Sequence, residues 1–192
     1  KELVGRAVIM RLIVFTMLFS GGLIPTYLIV KGLGMTNTIW AMVIPNAVSA
    51  WNLVIARTYF QQSIPQELLE ASLVDGCSYA RFFWEVAVPL SGAIIAVLAL
   101  LYSVAHWNSF FTGLIYLQDY SKYPLQLILR DILLGYQTAG AADDAKTVQE
   151  MQRIADLMKY ALIIVASLPV MVLYPFLQRY FVKGVMVGAI KG

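Results

Sequence analysis

Residues 70–89 read EASLVDGCSYARFFWEVAVP, a polar stretch between two apolar runs that are each long enough to cross a membrane. Asp75-Gly76 is expected to break a first short helix, because glycine accepts backbone angles that other residues avoid. Ser78 can begin a second short helix, and Pro89 marks the junction with the next apolar run. A loop with helix caps, a glycine hinge and a proline stop is predicted to be a docking element for a soluble partner.

The first short helix is predicted to begin near Pro65. Ser63 is the expected N-cap, and Gln66 would complete a capping box, with Pro65 in the first turn. Glu67 and Glu70 would then lie near the positive end of the helix dipole, where carboxylates are favourable.

Three aromatic residues follow the glycine: Phe82, Phe83 and Trp84. Exposed aromatic side chains in a cytoplasmic loop are costly unless a partner or the bilayer surface covers them. An alternative stays open: the loop only connects two spans, and its aromatic residues lie at the membrane interface.

The amino-acid composition excludes most classes of soluble protein. Hydrophobic residues make up 60% of the chain and charged residues 13%, against about 45–50% and about 25% in a soluble domain. The mean hydropathy is +0.73. A net charge of +3 without a basic run argues against nucleic acid as a partner. The single cysteine, Cys77, excludes an internal disulfide and a cysteine-based metal cluster, and no cofactor is expected.

Four apolar segments satisfy the requirement of about 20 residues for a membrane span. They cover residues of about 7–30, 38–60, 86–117 and 160–177. Prolines and small residues inside these segments favour a packed bundle over isolated anchors. The predicted fold class is therefore all-α, a polytopic transmembrane helix bundle formed by one domain over residues 1–192. Because the chain opens at Lys1 without Met, it is expected to be truncated at its N-terminus.

Lysine and arginine placement predicts the orientation, since cytoplasmic segments carry the excess of positive charge. The bias in the short segments places both termini and the loop 61–89 in the cytoplasm. Residues 118–158 are predicted to form an extracytoplasmic loop.

The loop resembles the pattern Glu-Ala-Ala-x3-Gly-x9-Ile-x-Leu-Pro, which marks the membrane permeases of bacterial ABC importers. The matching residues are Glu70, Ala71, Gly76 and Pro89. The departures are conservative: Ser72, Val86 and Val88 stand where the pattern has Ala, Ile and Leu. Flanking segments resemble carbohydrate permeases of the maltose-permease type, closest to lipoprotein-operon and aldouronate-type polysaccharide permeases. These segments are residues 19–27, 106–109, 123–126 and 181–186.

The resemblance implies a MetI-like permease fold with six spans, of which this chain would hold the last four. It implies a multi-pass protein of the bacterial cytoplasmic membrane, surrounded by lipid and without a catalytic site of its own. The implied partners are two cytoplasmic ATPase subunits, a second related permease in a heterodimer, and an extracytoplasmic solute-binding protein. The residues implied in ATPase coupling are Glu70, Ala71, Ser72, Gly76 and Pro89.

For a sugar cargo, aromatic faces beside hydrogen-bonding side chains in the spans are candidate substrate contacts. They are Trp51, Asn52, Tyr102, His106, Trp107 and Asn108. Polar groups inside a membrane equally suit contacts between helices, and tryptophans suit the interface, so a structural role stays open. His106 is the sole histidine and by itself makes no metal site.

Three other functions are alternatives. An ABC permease for amino acids, peptides or ions would carry the same loop pattern. An ion-coupled secondary transporter would want carboxylates within the spans, and none of the four predicted spans contains Asp or Glu. An intramembrane enzyme would need a paired acid, a Ser–His set or metal ligands, which the spans do not supply. No phosphate-binding loop appears, so ATP hydrolysis is expected from partner subunits.

Overall fold

A computed structural model describes residues 5–139 and 145–189. In these residues every regular element is helical, as predicted. The α-helices are α1 (Arg6–Leu18), α2 (Leu23–Gly32), α3 (Trp40–Val43), α4 (Ala50–Ser63), α5 (Gln66–Val74), α6 (Tyr79–Phe82), α7 (Val88–Leu90), α8 (Gly92–Trp107), α9 (Phe110–Tyr116), α10 (Leu125–Ala139) and α11 (Ala145–Ala189). Three further helical segments are a π-helix (Phe83–Ala87) and two 3₁₀-helices (Ile44–Asn46 and Tyr120–Lys122).

The described residues fall into two compact units. The first unit comprises residues 5–26, 46–102 and 177–189, and in it α1 packs against α4, and α5 against α6. The second comprises residues 27–45 and 103–176 apart from the five residues 140–144 that are not described. In the second unit α9 packs against both α3 and α10.

The predicted spans are more interrupted than their hydropathy suggests. In the described part, one helix is by itself long and apolar enough to cross a membrane, over Asp156–Pro175. Two pairs of helices reach that length only together and bend sharply at a short break. These pairs are Arg6–Leu18 with Leu23–Gly32, and Tyr79–Leu90 with Gly92–Trp107. By length and composition, the described residues therefore hold one candidate span, or up to three if each bent pair counts as one.

The predicted span over residues 38–60 is divided between two helices, α3 and α4. After α3 the chain tightens into the 3₁₀-helix at Ile44–Asn46, where Pro45 cannot donate a backbone hydrogen bond. A new helix, α4, then begins after Ser49, whose hydroxyl caps it by accepting from the N–H of Asn52 at 3.4 Å. Hydropathy is nearly uniform across this break, so the apolar pattern alone does not reveal it.

The predicted third span also breaks, at Ser91. This side chain is fully buried, and its hydroxyl donates to the carbonyl of Ala87 at 2.6 Å. A serine that bonds back to the carbonyl four residues earlier tends to bend a helix. The break therefore has a local cause: Ser91 satisfies a carbonyl of the preceding turn just before α8 begins at Gly92.

The core of the second unit forms around Val30, Ala41 and Tyr116, all buried. The rings of Tyr27 and Tyr116 stack with centroids 6.0 Å apart. Leu127 of α10 is also fully buried. These contacts join α2, α3, α9 and α10 into one packed cluster.

Asn37 fastens two loops of this unit together. It adopts the left-handed conformation, with φ of 57°, which asparagine tolerates better than most residues. Its side-chain Oδ1 accepts from the N–H groups of Gln118 at 3.1 Å and Asp119 at 3.0 Å. Its carbonyl accepts from Nζ of Lys122 at 2.9 Å, and its N–H donates to the carbonyl of Tyr116 at 2.8 Å. We call this set of contacts the Asn37 clasp.

Asp119 gives the Asn37 clasp a predicted dependence on pH. Hydrogen bonds from the hydroxyl (2.8 Å) and N–H (3.1 Å) of Ser121, with the charge of Lys122, lower the pKa of this carboxyl from its ordinary 3.8. The stabilisation is therefore complete above the ordinary pKa and is lost as the pH falls through the lowered one. Hydrogen exchange of residues 117–123, corrected for intrinsic rates, should accelerate in that acidic window. Asp119→Asn should exchange faster at neutral pH and lose this dependence; an unchanged profile in the variant would contradict it.

Gly113 sets the packing distance between α9 and the start of α10. A Cβ at this position would lie 2.8 Å from both Cδ and Cγ of Pro124, whose ring cannot turn away. Gly113→Ala should therefore lower the free energy of unfolding by about 1–3 kcal/mol. Gly135→Ala in α10, where nothing lies within 4 Å of the added Cβ, should instead raise it by about 0.5–1 kcal/mol. Unfolding of the two full-length variants, followed by fluorescence, checks these opposite signs; equal stabilities would contradict them.

Candidate functional site

The loop 61–89 forms a helix–turn–helix elbow in the first unit, built from α5, the turn at Gly76 and α6. The expected capping box is wrong: Ser63 ends α4, and Pro65 is the N-cap of α5 without a side-chain hydrogen bond. The proline restricts Ile64 to an extended conformation, which separates the two helices. Gln66 instead donates from Nε2 to Oε1 of Glu70 at 2.7 Å.

The turn at Gly76 closes by two backbone hydrogen bonds. The N–H of Gly76 donates to the carbonyl of Leu73 at 3.0 Å, and that of Cys77 to the carbonyl of Ser72 at 2.9 Å. This is the Schellman arrangement, and it needs the positive φ of 78° that Gly76 adopts. No heavy atom lies within 4 Å of a Cβ built there, so the space beside the turn is open in this chain. A side chain at position 76 would strain the backbone and fill that open space.

Beyond the turn, α6 begins as predicted at Ser78, whose hydroxyl accepts from the N–H of Arg81 at 3.3 Å. Arg81 in turn donates to Glu85 at 2.8 Å on the surface. This hydrogen bond and the charge of Glu85 raise the pKa of the Arg81 guanidinium, which stays charged at any physiological pH.

The aromatic residues after the turn divide between two environments. Phe82 is buried, contrary to the expectation that all three are exposed, whereas Phe83 and Trp84 are exposed. The ring of Phe83 lies 6.5 Å from that of Phe60 in α4 and 5.2 Å from that of Trp84. The contact between Phe83 and Phe60 thus connects the segment after the turn to α4.

Of the five residues implied in coupling, four are exposed and one is half-buried. Glu70, Ala71, Gly76 and Pro89 are exposed, and Ser72 is half-buried, with its hydroxyl bonded to the carbonyl of Leu69 at 2.7 Å. Exposed apolar side chains accompany them on α5, namely Leu68 and Val74, the latter 88% exposed. An exposed helix with acidic and apolar side chains and a rigid terminal turn can serve as a contact surface for another protein.

Three of the candidate substrate contacts lie in the first unit. Asn52 is buried in α4, and Trp51 beside it is 61% exposed. The hydroxyl of Tyr102 accepts from the N–H of Ser49 at 3.1 Å. Ser49 thus joins Asn52 and Tyr102 at the start of α4. A serine before an apolar run is a signal for a helix cap, although its tyrosine partner 53 residues away cannot be inferred from spacing.

The other three candidates lie in the second unit. Nε1 of Trp107 donates to the carbonyl of Ala166 in α11 at 2.8 Å. Nδ2 of Asn108 donates to the carbonyl of Val104 at 2.8 Å, and His106 is half-buried. Tyr102, Trp107 and Asn108 therefore all make hydrogen bonds to the backbone, which gives each a structural role that the sequence left open. Within the described residues, no group of three His, Cys, Asp or Glu side chains could hold a metal ion.

Comparisons with known proteins match nearly the whole chain. The family described as "Binding-protein-dependent transport system inner membrane component" matches residues 4–187. Protein LplC of Bacillus subtilis (strain 168) is 45% identical over 193 aligned residues, which cover 100% of this chain and 64% of that protein. The polygalacturonan/rhamnogalacturonan transport system permease protein YtcP of the same organism is 41% identical, over 100% of this chain and 66% of that protein. This chain thus spans just under two thirds of the length of these relatives.

A solved structure shares the fold. It is a bacterial ABC transporter involved in the import of the acidic polysaccharide alginate, and the match has a TM-score of 0.78 with 28% identity. The match covers 94% of this chain and 63% of the solved chain.

Tyr102→Phe separates a structural role of this side chain from a substrate contact. Losing the hydroxyl leaves the N–H of Ser49 without its partner, which should lower the free energy of unfolding by about 1–3 kcal/mol. The apparent KM for transport by the full-length protein should stay unchanged. A raised KM at unchanged stability would instead identify Tyr102 as a substrate contact.

Proposed function

This chain belongs to the binding-protein-dependent transport system inner membrane components, and from this membership we propose that it is part of the permease of an ATP-driven sugar importer. YtcP and the alginate importer named above support a cargo of oligosaccharides or polysaccharide fragments, as do two other relatives. These are the arabinooligosaccharides permease AraQ of Halalkalibacterium halodurans and the melibiose/raffinose/stachyose permease MelC of Bacillus subtilis (strain 168), both 28% identical. The observation that carries the proposal is the family match over residues 4–187.

The proposed architecture is that of a multi-pass protein in the bacterial cytoplasmic membrane. The chain would supply the last four of six spans, with the interrupted helices counted as bent or broken spans. The match covers 63% of the alginate importer chain, close to the share that four of six spans represent. A second related permease would complete the pathway, and an extracytoplasmic binding protein would deliver the sugar.

The loop 61–89 is proposed to receive the cytoplasmic ATPase. Its five coupling residues are accessible or half-accessible, and the Schellman turn ends α5 with two backbone hydrogen bonds just before α6 begins. Contacts run without a gap from α5 to α6, from α6 to the π-helix and from there to α7. A displacement of α5 by the closing ATPase pair would therefore move these segments together, as a rigid element.

The Asn37 clasp is consistent with the proposed orientation. It joins Asn37 to residues 118–122, which the charge pattern predicts on the extracytoplasmic side. We propose that residues 118–158 form the external loop and that the clasp fixes its first turn.

A pair of glycines with matched geometry tests the coupling assignment. Gly76 and Gly34 both have positive φ, 78° and 66°, and neither has a heavy atom within 4 Å of an added Cβ. Gly76→Trp and Gly34→Trp therefore impose comparable local strain at opposite predicted faces of the membrane. Co-purification of the full-length protein with its ATPase should weaken at least about tenfold in Gly76→Trp only, since loss of a central contact exceeds about 1.4 kcal/mol.

The same preparation tests the cargo. Wild-type importer in proteoliposomes, with its binding protein and ATP, should accumulate labelled oligosaccharides and leave amino acids outside. Equal ATPase binding by both tryptophan variants would place docking elsewhere. Uptake of amino acids without oligosaccharides would contradict the sugar assignment and leave the coupling result intact.

A further inference from the structure

The last membrane span contains a proline that weakens one of its turns. Pro169 lies inside α11, within the span-length segment Asp156–Pro175. Proline has no N–H, so the carbonyl of Val165 loses its usual donor four residues on, and the ring crowds the preceding turn. In a bilayer no water replaces the missing partner, and such turns persist where neighbouring groups supply hydrogen bonds.

Two side chains donate to carbonyls of this same turn. The hydroxyl of Ser167 donates to the carbonyl of Ile163 at 2.7 Å, a bond that itself tends to bend a helix. Nε1 of Trp107 donates to the carbonyl of Ala166, three residues before Pro169, at 2.8 Å. Two carbonyls of this turn, those of Ile163 and Ala166, therefore receive side-chain donors on either side of the Val165 carbonyl, and one of these donors comes from α8.

We propose that Trp107 is a positioning residue that braces the turn 163–169, and that the last span pivots at this turn when the brace is released. Trp107 is suited to this role because it ends α8, is half-buried, and reaches α11 through a donor on a rigid ring. Its single N–H is already engaged with Ala166, so a hydrogen bond to a sugar would require this contact to break. The brace itself does not rest on the proposed function; only its use during transport does.

A distance measurement across the turn tests the brace directly. Leu157 and Leu173 are exposed on either side of residues 163–169 and lie about 24 Å apart along a helix that rises ~1.5 Å per residue. Spin labels at these two positions, in the cysteine-free full-length protein in nanodiscs without ATP or sugar, should give a narrow distance distribution. Trp107→Phe removes the donor and keeps an aromatic ring, so the distribution should broaden or shift.

Two further variants locate the effect. Pro169→Ala restores the missing N–H, so the double variant Trp107→Phe/Pro169→Ala should return to a narrow distribution. Trp40→Phe changes an exposed tryptophan of the same unit and should leave the distribution unchanged. Should Trp107→Phe fail to assemble, benzothienylalanine at position 107 replaces only the N–H with sulfur and keeps the shape of the ring.

Each result decides the proposal. An unchanged distribution without the Trp107 donor overturns the brace, and broadening that persists with Pro169→Ala overturns the turn 163–169 as the pivot. In transport, the brace predicts a several-fold change in maximal rate with KM unchanged, whereas a raised KM alone would make Trp107 a sugar contact. An importer that transports no sugar would contradict the proposed function but would not affect the distance result.

Discussion

The structure depends on one constraint: in a membrane, each backbone group freed at a helix break needs a partner within the protein. The helices of the described residues break often, and in several cases a side chain makes a hydrogen bond at the break. The hydroxyl of Ser91 donates to the carbonyl of Ala87. The hydroxyl of Tyr102 accepts from the N–H of Ser49, the N-cap of α4. Trp107 donates to the carbonyl of Ala166, next to the Val165 carbonyl that Pro169 leaves without its usual donor. Polar and aromatic side chains within the apolar segments thus supply hydrogen bonds where the helices bend or break.

The elbow follows the same rule at the surface. Its turn satisfies its own carbonyls through the N–H groups of Gly76 and Cys77, so α5 needs no side-chain partner from elsewhere to end there. The surface around Glu70 and Ala71 is consequently left accessible. Rigidity from the backbone together with an accessible side-chain face is the combination that a coupling lever requires.

Sequence patterns predicted what depends on local chemistry. The all-helical class followed from apolar segments, and the stop at Gly76 and the cap at Ser78 followed from residue type. The cap at Ser63 failed, because Pro65 imposes an extended conformation on the residue before it. The helix breaks at residues 44–49 and at Ser91 were not predicted, because hydropathy carries no information about backbone hydrogen bonds. The partner of Trp107 lies 59 residues away, a distance no local pattern encodes.

In the proposed orientation, the elbow faces a cytoplasmic ATPase and the Asn37 clasp lies on the extracytoplasmic side of the membrane. A photo-crosslinking amino acid placed at Ala71, and separately at the exposed Ser121 of the clasp, tests both faces in the assembled full-length importer. We expect Ala71 to cross-link to the ATPase subunit and Ser121 to extracytoplasmic protein only. Cross-linking of Ser121 to the ATPase, or of Ala71 to lipid alone, would contradict the proposed orientation and the coupling role of the elbow.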